Sequence, residues 1–256
     1  DGKALQAGTS HFLGQNFAKA FDVKFSDKEG KLDYVWATSW GVSTRLMGAL
    51  IMSHGDDHGL VLPPKLAPYQ VVIIPIFKSE AELSEITDYV QPLIDDIRKK
   101  GFSVKFDNRL NHKPGYKFNE HEIKGTPIRI AVGPRALKKK SLEIFRRDKM
   151  EKKVLNFSDV LTEISFLIDD IQNELLKASK KHLNDNTKEA QSYDEFKKMI
   201  NAGGFVLAHW DGTTETENKI KKETKATIRC IPFIKSDPGK CILTGKSSQC
   251  KVFFAK

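Results

Sequence analysis

The sequence predicts an α/β chain in three parts: residues 1–68, residues 69–157 and residues 158–256. Three observations predict it. First, Val71-Val72-Ile73-Ile74-Pro75-Ile76-Phe77 is a continuous apolar run, the pattern of a strand covered on both faces. Second, a capped amphipathic helix and two further strand-like runs follow, an alternation that builds a βαβ domain with a mainly parallel core. Third, beyond residue 184 short strands and short capped helices crowd together, which marks a small α+β domain.

Residues 1–33 read as strand, helix, strand. Thr9 and Ser10 can cap a helix through about Ala20, with Phe12, Phe17 and Phe21 on or near one side. Val23 to Phe25 and Tyr34 to Trp40 are strand-like and are joined by the polar turn Ser26-Asp27-Lys28-Glu29-Gly30-Lys31. Gly41 lets the backbone approach a neighbour closely, and Ser43 or Thr44 can cap the apolar helix from Leu46 to Met52. Arg45 then stands at a strand–helix junction beside exposed N–H groups, a place suited to a phosphate. Read alone, the same run also fits a buried helix whose arginine pairs with a carboxylate. His54, Asp56, Asp57 and His58 have metal-ligand chemistry, but they follow a helix and precede Gly59, so they read as a helix end and turn with no metal. Pro63 and Pro64 mark a boundary.

In the middle part Ser79-Glu80-Ala81-Glu82 is a capping box. The helix it opens carries Leu83, Ile86, Val90, Leu93, Ile94 and Ile97 as one stripe. Gly101 ends it; Phe102 to Phe106 and Pro127 to Val132 are the next strands. Between them, Pro114-Gly115-Tyr116-Lys117-Phe118-Asn119-Glu120-His121-Glu122 interleaves aromatic and charged residues, with Lys124 just beyond. That composition suits single-stranded bases: rings stack, cations meet phosphates and carboxylates accept from base donors. It also suits a short helix with Tyr116 and Phe118 in a core. Lys138, Lys139 and Lys140 read as a solvated loop. The last part opens with a long helix over 158–183, capped by Ser158, with a stripe that includes Val160, Ile164, Leu167, Ile168 and Ile171. Ser192-Tyr193-Asp194-Glu195 and Thr214-Glu215-Thr216-Glu217 are two more capping boxes; Gly204 to Trp210, Thr227 to Phe233 and Lys251 to Phe254 are strands.

The charge is uneven. Residues 1–70 hold 7 basic and 7 acidic side chains, whereas residues 98–153 hold 18 basic and 6 acidic. So dense a basic stretch fits a nucleic-acid surface or a solvated face. With 39% apolar and 29% charged residues, no run approaches the roughly 18 apolar residues that span a bilayer. The chain opens Asp1-Gly2-Lys3, with neither a methionine nor a signal segment, which points to a fragment of a cytoplasmic protein. Three cysteines, an odd number, fit reduced thiols.

Residues Thr38-Ser39-Trp40-Gly41-Val42-Ser43-Thr44-Arg45 resemble motif 3 of the class II aminoacyl-tRNA synthetases, in the form found in prolyl-tRNA synthetases of the archaeal and eukaryotic-like type. Gln6-Ala7-Gly8-Thr9-Ser10-His11 upstream, His54-Gly55-Asp56-Asp57-His58-Gly59 downstream, and Pro114 to Asn119 with Gly125-Thr126-Pro127-Ile128-Arg129-Ile130 extend the resemblance along essentially the whole chain. It implies that residues 1–68 are the last part of an antiparallel-sheet catalytic domain, 69–157 an anticodon-binding domain, and 158–256 a connector helix with an α+β C-terminal domain. It implies ATP contacts at Gln6, Thr9, Ser43 and Arg45, with Arg45 catalytic, and a proline pocket formed by His11, Trp40 and Gly41. It implies anticodon contacts at Phe118, Glu122 and Arg129, with Arg146 and Arg147 near the RNA backbone. The implied partners are tRNA(Pro), proline and ATP with Mg²⁺, in a cytoplasmic homodimer. Motifs 1 and 2 are not found. Relatives often carry acids where Ala131 and Ala136 stand. They also often hold zinc through four cysteines; Cys230, Cys241 and Cys250 lack a fourth partner at Thr244, so zinc is not expected. A non-catalytic RNA-binding module is the alternative.

Overall fold

The first element is set by a strand partner and not by its capping residues. In the computed structural model, which describes residues 4–233 and 236–256, β1 (Thr9–Gly14) is a strand. The first three residues of the expected opening strand lie outside the described part. Thr9 and Ser10 therefore do not cap a helix; α1 (Asn16–Ala20) is short, and Gln15 precedes it without a side-chain cap. β2 (Lys24–Ser26) and β3 (Leu32–Tyr34) form a hairpin, and the Asp27 carboxylate closes its turn by accepting the Glu29 and Lys31 N–H groups at 3.0 and 2.8 Å. The expected single strand from Tyr34 to Trp40 is split, so β4 (Ala37–Gly41) is a separate strand and pairs antiparallel with β1. α2 (Arg45–Ser53) begins where the Ser43 hydroxyl accepts the Arg45 N–H at 3.3 Å. It holds no buried residue, so the buried-helix reading of this run does not stand.

The chain divides into two compact units, residues 51–182 and residues 1–50 with 183–256. In the first, β5 (Gly55–Asp56) and β6 (Gly59–Leu60) make a hairpin where a helix end and turn were expected. Then come β7 (Val71–Pro75), α3 (Glu80–Lys99), β8 (Val104–Phe106), α4 (Pro114–Ile123), β9 (Ile128–Val132), α5 (Pro134–Lys139), β10 (Ser141–Arg146), β11 (Glu151–Asn156) and α6 (Val160–Asp185). One five-stranded sheet runs in the order β11-β10-β9-β7-β8. β7 is parallel to β8 and β9, as predicted; β10 is antiparallel to both its neighbours. The Ser79 hydroxyl caps α3 by accepting the Glu82 N–H. Lys138 and Lys139 belong to α5 rather than to a loop.

Alternation along the strands divides this sheet into two faces. Val71, Ile73, Ile128, Ile130, Val132, Leu142 and Ile144 point to a core filled by Ile86, Val90, Ile94 and Ile97 of α3 and by Val160, Ile164, Leu167, Ile168 and Ile171 of α6. The start of the long helix is therefore part of this core. Ser158 does not cap it: its hydroxyl donates to Asp159, in a 3₁₀ turn. On the other face Val72 and Ile74 are buried where α4 packs over β7.

In the last part β12 (Thr187–Glu189), α7 (Tyr193–Ala202), β13 (Phe205–His209), α8 (Thr214–Thr224), β14 (Thr227–Cys230), β15 (Gly239–Lys240), β16 (Ser247–Ser248) and β17 (Lys251–Ala255) follow, with sheet order β12-β13-β17-β14. Ser192 caps α7 as predicted, but the cap of α8 is Thr213, one residue before the predicted box. Phe196, Ile200, Val206, Ile220, Val252 and Phe254 make the core. Thr244 donates to Asp211 at 2.9 Å, and hydroxyls of Thr213 and Thr216 reach the same carboxylate. Burial opposes its charge, yet these hydrogen bonds hold Asp211 down to about 2. Among the described residues no three His, Cys, Asp or Glu side chains gather as a metal site.

Candidate functional site

Four residues singled out in the sequence meet across 39 positions. The Gln6 amide donates to the Thr9 hydroxyl at 2.9 Å, and the Arg45 guanidinium donates to the Gln6 oxygen at 3.4 Å. With Ser43 they line a cavity of about 250 Å³, which Gly8 and Gly41 also line. A Cβ on Gly8 would stand 3.3 Å from the Gly41 oxygen, so the small residue lets the two strands close up. Among the described residues Arg45 has only this neutral side-chain partner, which leaves its charge available for an anion.

The register of β1 against β4 divides the expected proline residues. His11 stands opposite Ser39, and Thr9 opposite Gly41; Trp40 stands opposite Ser10. Successive strand side chains alternate, so His11 and Gly41 share one face with Ser39 while Trp40 lies on the other. Trp40 is thus not on the face of His11, contrary to the expectation that both line one pocket. Ser39 takes the facing position, and period-two reading of the strand would have found it.

The second constellation lies on the open side of the five-stranded sheet. Phe145 stands opposite Arg129, and Glu143 opposite Ala131. The Arg129 guanidinium is held between two rings, 4.3 Å from the centre of Phe118 and 4.2 Å from that of Phe145. Burial pushes the Arg129 pKa down, and the carboxylates of Glu122 and Glu143 oppose the shift. Glu122 lies 3.8 Å from Arg129, and among the described residues the buried Arg129 Nε has no hydrogen-bond partner. Beside the stack a groove of about 930 Å³ runs along the sheet, walled by Phe77, Phe118, Arg135, Lys139, Glu143 and Lys152. Tyr116 is exposed and stacks on His112 at 4.3 Å, so it is not core. Phe145 and Glu143 went unread in the sequence, although Leu142 and Ile144 alternate with them in strand fashion.

Arg146 and Arg147 are engaged inside the domain, which corrects their expected place near the RNA backbone. Arg146 makes two 2.8 Å bonds to Asp148 and reaches Asp170 of α6 at 2.8 Å. Arg147 is 1% exposed; it grips Asp56 with two bonds of 2.8 and 2.5 Å and donates to the Glu122 carbonyl at 3.1 Å. A buried guanidinium needs a carboxylate to offset lost hydration, and each has found one. Lys117 is likewise buried, its ammonium donating to the Asp107 carbonyl at 2.9 Å. Burial would raise the Asp107 carboxyl, but hydrogen bonds from Arg109 and His121 hold it well below the usual range.

A family model described as "Anticodon binding domain" matches residues 70–167, and one described as "Prolyl-tRNA synthetase, C-terminal" matches residues 193–256. The chain is 57% identical over 258 residues to the proline–tRNA ligases of Christiangramia forsetii and of Porphyromonas gingivalis strain ATCC 33277. It is 56% identical over 261 residues to that of Bacteroides fragilis strain YCH46. All of this chain is covered in each case, against 52% of the relative, so the chain spans about half the length of the curated relatives it matches. The chain belongs to the prolyl-tRNA synthetase family, with that family's anticodon-binding and C-terminal regions.

Proposed function

We propose that the protein of which this chain is part is a proline–tRNA ligase, which activates proline with ATP and passes the prolyl group to tRNA(Pro). The observation that carries the reading is the Phe118–Arg129–Phe145 stack, with Glu122 3.8 Å from Arg129 and with Phe118 at the wall of a basic groove. It offers rings for stacking, a carboxylate for base donors and cations for the phosphates that follow. Phe118, Glu122 and Arg129 are the anticodon contacts in this reading; the RNA backbone falls to Arg135, Lys139 and Lys152, because Arg146 and Arg147 are engaged elsewhere.

In the same reading Gln6, Thr9, Ser43 and Arg45 hold ATP, and Arg45 is the catalytic residue. In adenylate formation the proline carboxylate bonds to the α-phosphorus as the bond to the α–β bridging oxygen breaks, negative charge builds on the leaving pyrophosphate, and a fixed guanidinium can meet that charge without gaining or losing a proton. The residues lining the cavity include no carboxylate, so Mg²⁺ would be held by the nucleotide's own phosphates, whose charge it partly neutralises. His11 and Gly41 face proline together with Ser39. The assembly is a cytoplasmic homodimer. Because motifs 1 and 2 are not found, this chain alone forms no prolyl-adenylate; proline-dependent ATP–pyrophosphate exchange by the isolated 256 residues would overturn that statement.

The reading is tested by binding this chain to tRNA(Pro) at fixed salt, beside the same tRNA with its two anticodon guanines replaced. A preference of tenfold or more, about 1.4 kcal/mol, is expected for the native anticodon. Equal binding of both, weakening together as salt rises, would leave only a basic surface. The alternative, an RNA-binding module without catalysis, does not account for Gln6, Thr9, Ser43 and Arg45 converging on one cavity.

A further inference from the structure

The groove beside the stack presents two carboxylates, Glu82 and Glu143. They differ in what they already do. Glu82 accepts the Lys78 N–H at 2.7 Å and so belongs to the cap of α3. Glu143 stands on β10 directly opposite Ala131 of β9, and its side chain is 37% exposed. Directly opposed residues of an antiparallel pair have their Cβ atoms roughly 5 Å apart on one face. A larger residue at 131 would fill the space beside the Glu143 carboxylate; the alanine methyl leaves it open. The one ion-pair partner of Glu143 among the described residues is Lys152, at 3.6 Å and itself 57% exposed, a solvent-screened contact that a ligand can replace. Phe118 and Arg135 line the same groove.

An ionised carboxylate only accepts, and it has two oxygens to do so. On a base edge the matching pattern is two adjacent donors. Guanine has it, in N1–H and N2–H. Adenine and cytosine each set an amino group beside an acceptor nitrogen, and uracil flanks its single N–H with carbonyls. We propose that Glu143 is a second base-reading carboxylate, which accepts from the N1–H and N2–H of one anticodon guanine in the place left open by Ala131. It works beside Glu122, which lies 3.8 Å from Arg129 of the stack and outside the lining of this groove. The inference rests on the anticodon reading above and adds a specificity-determining residue to it.

The test uses the 256-residue chain, at fixed salt, with four RNAs: native tRNA(Pro), the form with both anticodon guanines replaced by adenine, and two forms with inosine at one guanine or the other. Inosine keeps the shape of guanine and loses only the N2 amino group. The wild-type chain is expected to lose about tenfold in affinity with inosine at one or both positions. Glu143→Gln is expected to bind guanine and inosine equally at one position, to keep the wild-type ratio at the other, and to melt at the wild-type temperature, because residue 143 lies in the open groove. Glu143→Asp, which keeps the carboxylate, retains part of the ratio. Lys152→Gln weakens every RNA alike. Wild-type guanine-to-inosine ratios at both positions in Glu143→Gln would overturn the role of Glu143 while leaving the anticodon reading intact. Equal wild-type binding of native and doubly replaced tRNA would overturn both.

Discussion

Arg129 shows how one side chain can be buried and still serve a ligand. Its guanidinium carbon lies 4.3 Å from the centre of the Phe118 ring and 4.2 Å from that of Phe145, so dispersion and cation–π attraction offset the hydration it gives up. Lysine has the charge but not the plane, and cannot stack on two rings at once. Arg129→Lys is therefore expected to weaken binding of the native anticodon by about tenfold, since each cation–π contact is worth roughly 0.5–2 kcal/mol. It is also expected to reduce discrimination against the doubly replaced anticodon. Titration of both RNAs against both proteins checks this. Loss of affinity with discrimination kept would make Arg129 a support for the fold alone.

At the scale of elements, the hairpin β5–β6 is clamped to the C-terminal end of α4, the helix that carries Phe118 and Glu122. Gly59, at φ +130°, has no room for a Cβ, which would stand 2.5 Å from the Ile123 Cα; a Cβ on Gly125 would likewise stand 2.7 Å from Leu60. Arg147 ties both elements through Asp56 and the Glu122 carbonyl. Asp56→Asn leaves a buried guanidinium without its counter-charge, at an expected cost of about 2–3 kcal/mol in urea unfolding, the low end for a buried pair because Asp56 is partly exposed. Gly59→Ala should cost at least as much, from strain and overlap together. The hydrogen bonds from Arg147 hold the Asp56 carboxyl at about 2, below its ordinary 3.8. A depressed carboxylate stabilises the fold above the ordinary value, and that stability is lost as pH falls through the native one. Unfolding free energy should thus drop between about pH 4 and pH 2 in the wild type, more steeply than in Asp56→Asn. Parallel pH profiles would show that the pair contributes nothing.

At the scale of the molecule, the boundaries of the middle unit decide what can fold. A fragment 69–157 follows the sequence pattern but omits Val160, Ile164, Leu167, Ile168 and Ile171, all buried in its core. Five such side chains at about 1.5–3 kcal/mol each come to roughly 10 kcal/mol, on the order of a whole domain's stability. Fragment 69–157 is expected to be unfolded by circular dichroism and fragment 51–182 to unfold cooperatively; a cooperative 69–157 would mean that α6 is dispensable. No helix among the described residues is long and apolar enough to cross a membrane.

The sequence by itself determined the elements whose cause is local. The Ser79 and Ser192 caps, the stripe of α3 and the apolar run of β7 are each written within a few turns of chain, where period and hydrogen-bonding groups suffice. The motif residues from Gln6 to Arg45 were also legible, as types in order. Only the tertiary structure decided which residues face one another. Thr9 to Gly14 became a strand because β4 supplies its hydrogen bonds, and the register then put Trp40 on the face away from His11. Glu143 and Phe145 reached the groove because β10 pairs with β9, while Arg147 turned inward to a carboxylate 91 positions away. Strand pairing and the burial of charge depend on partners distant in sequence, and one residue's shift in register turns a side chain to the opposite face.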